Sequence, residues 1–142
     1  MPRVAFVTGG SGFLGRHVVE HLRLAGWTVV ALHRPTSRVD HLRALGARLE
    51  VGSITDGQSL LRAMPEGCDA VFHVAGNTSF WSADRAQQSL ENVAGTRLVV
   101  EAALARRARV LVHTSSESAW GEQRATAFDE TFPSNALESI SP

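Results

Sequence analysis

The sequence predicts an α/β domain on a doubly wound parallel sheet, and three observations predict it. Short apolar runs rich in β-branched residues alternate with segments of helical period as far as His113. The connections between runs are too long for hairpins and long enough for crossover helices. The first run stops in a cluster of glycines, as a strand does when it turns directly into a helix.

Taken in order, Arg3–Thr8 is a buried strand ending in Gly9-Gly10-Ser11-Gly12. From Phe13 the period becomes helical, with Leu14, Val18, Leu22 and Ala25 on one stripe and Gly26 closing the helix. Trp27–His33 is a second strand, almost continuously apolar, as a strand buried on both faces is. A Pro35-Thr-Ser turn, a short helix over Val39–Leu45 stopped by Gly46, and a third strand at Ala47–Val51 follow. Asp56 can cap a helix through Leu60, Leu61 and Met64. Asp69–Val74 is the fourth strand, and Ala75–Ser82 the loop after it. A long helix from about Ala83 to Arg106 is expected to carry Leu90, Val93, Ala94, Val100 and Leu104 on or near its inner face. Arg109–His113 is the fifth strand, and Glu117–Pro142, without a sustained period, reads as loop. Right-handed crossovers and a central first strand give the order 3-2-1-4-5.

Composition narrows the function. The chain has 142 residues, enough for one domain, with 14 basic and 14 acidic residues and a net charge of zero. A binder of nucleic acid or of an anionic membrane needs a basic surplus, so neither partner is expected. No apolar run approaches the ~20 residues of a membrane span, and the N-terminus lacks the apolar stretch of a signal peptide. With a single cysteine, Cys68, no internal disulfide can form, and a cytoplasmic location is expected. Two absences weigh more. There is no tyrosine, and all 14 basic residues are arginine, so there is no lysine.

The glycine turn is the strongest chemical signal. Thr8-Gly9-Gly10-Ser11-Gly12-Phe13-Leu14-Gly15 fits G-x-G-x-x-G through Gly10, Gly12 and Gly15, and T-G-x-x-G-x-x-G through Gly9, Gly12 and Gly15. An early glycine permits positive φ, Gly12 lets backbone approach a pyrophosphate, and Gly15 lets helix and strand pack closely. The helix N-terminus then presents N–H groups and a positive dipole end to the anion. Between a strand and a helix at the start of the chain, this pattern predicts a Rossmann-type dinucleotide site rather than a plain turn. An acid about twenty residues on would hold the ribose 2′-OH of NAD. None stands between Glu20 and Asp40; the second strand ends in His33-Arg34, with Arg38 behind it. Arginines there suit a 2′-phosphate, so NADP is expected over NAD.

Other signals are weaker. His17-Val-Val-Glu20-His21 matches a zinc-protease pattern, but its helix already serves the glycine turn, so no metal site is expected. Cys68, without a basic neighbour, reads as a structural or surface thiol. Arg106, Arg107 and Arg109 follow a helix end, where cations complement the dipole and face solvent. Trp81 and Trp120, in loops at the C-terminal ends of strands, suit ligand contact and packing equally.

Four motifs in order resemble those of the extended short-chain dehydrogenase/reductases, the NAD-dependent epimerase/dehydratase group, and among them the dihydroflavonol-reductase-like members. They are Thr8–Gly15, Asp69-Ala-Val-Phe-His-Val-Ala-Gly76, Asn92-Val-Ala-Gly-Thr96 and His113-Thr-Ser-Ser-Glu-Ser-Ala-Trp-Gly121. The resemblance runs from Arg3 to Pro142. It implies that Val74, Ala75 and Gly76 line the cofactor cleft and that Asn92 steadies the loop beneath them. It implies that Thr114 and Ser115 flank the nicotinamide and that Ser116 is the catalytic serine, bonded to the reacting substrate oxygen. Ser53 and Ile54 stand where the family contacts adenine, Ser53 in place of the usual acid. Trp120 stands where many relatives carry tyrosine.

The chemistry of that family also needs a tyrosine as general acid/base and a lysine four residues later. Neither exists in this sequence, and a serine hydroxyl cannot replace them at neutral pH. The expectation is therefore a sheet truncated after strand five, with residues 1–116 binding NAD(P) and 117–142 leading toward a catalytic helix and a substrate-binding part. Such a chain is the cofactor-binding portion of an oxidoreductase or epimerase, inactive alone. The alternatives are a non-catalytic, redox-sensing dinucleotide module and a nonfunctional fragment. In the intact enzyme the resemblance implies a small-molecule substrate and a homodimer through the long helix.

Overall fold

Alternation along each strand decides how the sheet is covered, because successive side chains point to opposite faces. In β1 (Val4–Thr8), Phe6 points to one face and Ala5 and Val7 to the other; in β2 (Thr28–His33), Val30 and Leu32 oppose Val29 and Ala31. Helices α3 (Gly57–Ala63) and α5 (Thr96–Ala105) cover the first face through Leu60, Met64 and Val99. Helices α1 (Phe13–Leu24) and α2 (Asp40–Ala44) cover the second through Val19, Leu22 and Leu42. Burying a side chain such as Phe6 contributes ~1.5–3 kcal/mol, so these two layers hold the sheet. The computed structural model describes residues 1–79, 81–121 and 129–135.

With β3 (Arg48–Val51), β4 (Ala70–His73) and β5 (Leu111–His113), the sheet has the order β3-β2-β1-β4-β5 and is parallel throughout. This is the expected Rossmann-type topology. Strands begin one or two residues later than their apolar runs, since Trp27, Ala47, Asp69 and Arg109 lead in without pairing in the ladder.

Two helix faces differ from expectation. In α1 the buried residues are Gly15, Val19 and Leu22, while Leu14 is exposed and Ala25 caps the end. The helix is rotated by one position because Gly15 must face the strand: a Cβ there would lie 2.0 Å from the Gly9 carbonyl oxygen. The long helix is also rotated. It runs through a 3-10 turn at Ser82–Asp84, α4 (Arg85–Ser89), a π-helical segment at Leu90–Gly95, and α5. Gly95, Val99, Ala102 and Ala103 face inward, whereas Leu90, Val93, Val100 and Leu104 are exposed. Small residues let the helix approach the sheet, which turns the bulky ones outward.

Beyond β5 the expected loop contains a 3-10 turn at Glu117–Trp120. Residues 129–135 fold back on it, with Asn135 N donating to the Trp120 carbonyl at 3.0 Å and Trp120 Nε1 to that of Phe132 at 3.1 Å. The expected solvated arginines are partly engaged. Arg106 Nε donates to the Leu61 carbonyl at 2.7 Å, tying the end of α5 to α3, and Arg107 pairs with Glu66. Cys68 is buried, which pushes its thiol pKa up. Among the described residues no helix is long and apolar enough to cross a membrane.

Candidate functional site

The turn between β1 and α1 is built around backbone. Gly9 has φ +73°, and a Cβ there would sit 2.5 Å from the Ala75 amide nitrogen, so the turn and the loop after β4 touch main chain to main chain. At Gly12, the N-cap of α1, a Cβ would meet only the Gly9 carbonyl oxygen, at 3.3 Å. No acidic residue occupies the first turn of α1. That end of the helix keeps its positive dipole uncompensated, which favours an anion.

The turn opens onto a cleft of ≈ 300 Å³. Gly9, Ser11, Gly12, Phe13, Leu14 and Gly15 form one part of its lining. Val74, Ala75 and Gly76 contribute from the loop after β4, Arg34 from the end of β2, and Ser53 and Ile54 from beyond β3. Gly10 is not part of the lining. It is buried against Val19, Ala31 and Leu42, so the glycines of the turn that meet the cleft are Gly9, Gly12 and Gly15.

Other expected residues stand away from it. Arg38 is exposed and outside the lining. Asn92 lies behind the loop: its Oδ1 accepts from Asn77 N at 2.7 Å and its Nδ2 donates to the Asn77 carbonyl at 2.8 Å. Thr114, Ser115 and Ser116 follow β5, exposed. The Ser116 hydroxyl oxygen accepts from Ser118 N at 3.2 Å and donates to Glu117 Oε2 at 3.2 Å, capping the 3-10 turn. Ser53 also serves a turn, its hydroxyl 2.8 Å from that of Thr55. Trp81 is exposed.

Beneath the cleft runs a chain of polar contacts that sequence reading passed over. The buried Thr8 hydroxyl accepts from Ala75 N at 3.3 Å and is 2.7 Å from His73 Nδ1; His73 Nε2 is 2.9 Å from the Thr96 hydroxyl. A buried hydroxyl needs an acceptor, which assigns Thr8 as donor to Nδ1 and the proton of His73 to Nε2. Burial, with the His113 ring stacked at 5.2 Å, lowers the His73 pKa to about 4. The neutral imidazole therefore links β1, β4 and α5 under the glycine turn.

Leu32, Ser37, Gly52 and Glu91 also line the cleft and were missed. Ser37 lies in the turn after Arg34 and could have been included; Glu91 arrives from a helix remote in sequence, with only its neighbour Asn92 as a signal. His17 and His21 line a separate shallow hollow with Leu14, Val18, Leu22 and Phe72. Among the described residues no three His, Cys, Asp or Glu side chains converge as metal ligands do.

The model of the NAD dependent epimerase/dehydratase family matches residues 5–142. The chain belongs to this family. Over 116 residues it is 41% identical to a Synechocystis protein named "Putative dihydroflavonol 4-reductase", covering 82% of this chain and 33% of that one. Over 129 residues it is 38% identical to the 4-hydroxy-2-methyl-3-oxo-4-farnesyl-3,4-dihydroquinoline-1-oxide ketoreductase of Stigmatella aurantiaca, covering 90% of this chain and 38% of that one. Among solved structures it is similar to a short-chain dehydrogenase/reductase superfamily protein of Agrobacterium tumefaciens with bound NAD. There the TM-score is 0.78 at 34% identity, covering 93% of this chain and 39% of that one. The chain thus spans 33% and 38% of the length of these two curated relatives.

Proposed function

We propose that this chain is the dinucleotide-binding portion of an oxidoreductase or epimerase that acts on a hydroxyl or carbonyl group, with NADP preferred over NAD. The observation that carries the reading is the cleft at the bare N-terminus of α1, where Gly12 leaves room for a diphosphate beside the backbone. Gly9, Gly12 and the first amides of α1 would hold the diphosphate, Arg34 the 2′-phosphate, Ile54 the adenine, and Val74–Gly76 the ribose nearer the nicotinamide. Bound, the nicotinamide ring supplies or accepts a hydride. Thr114 and Ser115 would border that ring, and Ser116, released from its turn, would bond the substrate oxygen.

With no tyrosine or lysine in the chain, proton transfer to that oxygen needs residues from outside it. The same absence favours a second reading, a binding module without turnover. An in-frame Tyr-x-x-x-Lys encoded after Pro142 supports the enzyme, and a stop codon there supports the module. In the intact enzyme we expect a small-molecule substrate and a homodimer, since the long helix turns an apolar stripe outward.

Fluorescence titration of the purified chain with NADPH and NADH tests the binding reading. Saturable binding of both, tighter for NADPH, is expected. Arg34→Asp should weaken NADPH by at least ~tenfold, since it removes a charge-assisted hydrogen bond and adds a repelling carboxylate, while NADH, whose 2′-hydroxyl can donate to that acid, should keep or gain affinity. Failure of the unchanged chain to bind either nucleotide overturns the proposal.

A further inference from the structure

Among the described residues two charged side chains line the cleft, Arg34 after β2 and Glu91 on the π-helical segment. Glu91 is brought there by the packing of its helix. Gly95, one turn on, lies against Ile54, where a Cβ would be 3.0 Å from Ile54 Cδ1, so the segment closes on the cleft wall. Glu91 Oε1 accepts from Gln87 Nε2 at 2.8 Å and lies 4.0 Å from Arg34 Nη1. The Glu91 side chain is 20% exposed and that of Arg34 70%. Among the described residues the carboxylate thus has a close hydrogen-bond donor, whereas the guanidinium's ion pair is at the limit of pairing distance and most of its surface is in water.

We propose that Glu91 is a specificity-determining residue for the dinucleotide: from the π segment it supplies the carboxylate that the end of β2 lacks, and it narrows the preference that Arg34 gives to a 2′-phosphate. This rests on the dinucleotide reading above. A 2′-phosphate brings roughly two negative charges at neutral pH, by analogy with other phosphomonoesters. Arg34 must leave Glu91 to meet it, and Glu91 stays behind as a repelling charge. A 2′-hydroxyl brings no charge, can donate to a carboxylate, and leaves the Arg34–Glu91 pair intact. Two opposed charges at one cleft edge thus admit both nucleotides with modest discrimination.

The test compares NADPH and NADH dissociation constants of the full chain, of Glu91→Gln, and of the double variant Arg34→Gln/Glu91→Gln. Removing a unit charge ~4 Å away near water is worth about five- to tenfold in affinity. Glu91→Gln should tighten NADPH by that factor and leave NADH unchanged or up to about threefold weaker; the gain should shrink at high salt. In the double variant NADPH should lose its advantage. A merely structural role for Glu91 would shift both nucleotides together, and an equal shift, or none, overturns the proposal while leaving dinucleotide binding intact. If the unchanged chain binds neither nucleotide, the dinucleotide reading fails and this inference falls with it.

Discussion

His73 shows what one residue carries in this fold. Its ring is fully buried, its two nitrogens meet the hydroxyls of Thr8 and Thr96, and its pKa is lowered to about 4, first by burial and then by His113. In the unfolded chain the same imidazole titrates near 6.5. Between those values the unfolded state binds more protons, so stability present above pH ~6.5 is lost as pH falls toward ~4. The full loss is on the order of 3 kcal/mol. Urea unfolding at pH 7 and pH 5 should show that loss developing in the unchanged chain. His73→Asn should lose much of the pH dependence, since the titrating ring is gone. It should also be less stable at pH 7 by ~1–3 kcal/mol, because the shorter side chain cannot reach the Thr96 hydroxyl that Nε2 meets. Equal pH dependence in both proteins would show that His73 does not titrate in this window.

At the scale of elements, the glycine turn separates folding from binding within four positions. A Cβ at Gly15 would fall 2.0 Å from the Gly9 carbonyl oxygen, both atoms held by rigid backbone. Gly15→Ala should therefore cost at least ~3 kcal/mol, the upper range for overpacking, and lower the melting temperature sharply. At Gly12 a Cβ would project beside the cleft with one contact at 3.3 Å, so Gly12→Ala should fold within ~1 kcal/mol of the parent. It should nevertheless weaken dinucleotide binding, because the methyl would enter the space proposed for the diphosphate. Calorimetric melting paired with NADPH titration separates the two effects; parallel loss of both properties in both variants would refute the division. The turn and the strand order were legible because both are local in the chain: β-branched runs, glycine punctuation and crossover length suffice. Helix rotation was not legible. Apolar periodicity put Leu14 and Leu104 inward, whereas the interior selects Gly15, Gly95 and Ala103, residues whose small size rather than hydropathy fits them to the sheet. Glu91 was hidden for a related reason, since only the packing of Gly95 on Ile54 brings its helix to the cleft.

Over the whole molecule, that rotation leaves apolar surface with a regular geometry. Leu90, Val93, Val100 and Leu104 follow one another at intervals of three, seven and four, the spacing of a helical seam that meets another helix. Such a face is ordinary on a helix that packs in a pair and unfavourable on one left in water. A net charge of zero adds no long-range repulsion between copies. The exposed Val110 and Val112, at the β5 end of the sheet, extend the apolar surface but offer an irregular edge rather than a seam. Self-association should therefore run through the helix. Sedimentation velocity across a concentration series should show a monomer–dimer equilibrium for the unchanged chain. Leu104→Glu, at a side chain 74% exposed, should shift it to monomer without lowering the melting temperature measured at low concentration. If association persists in Leu104→Glu but is abolished by Val112→Glu, the contact runs through the sheet edge, and the helical stripe must then be covered by something other than its own copy.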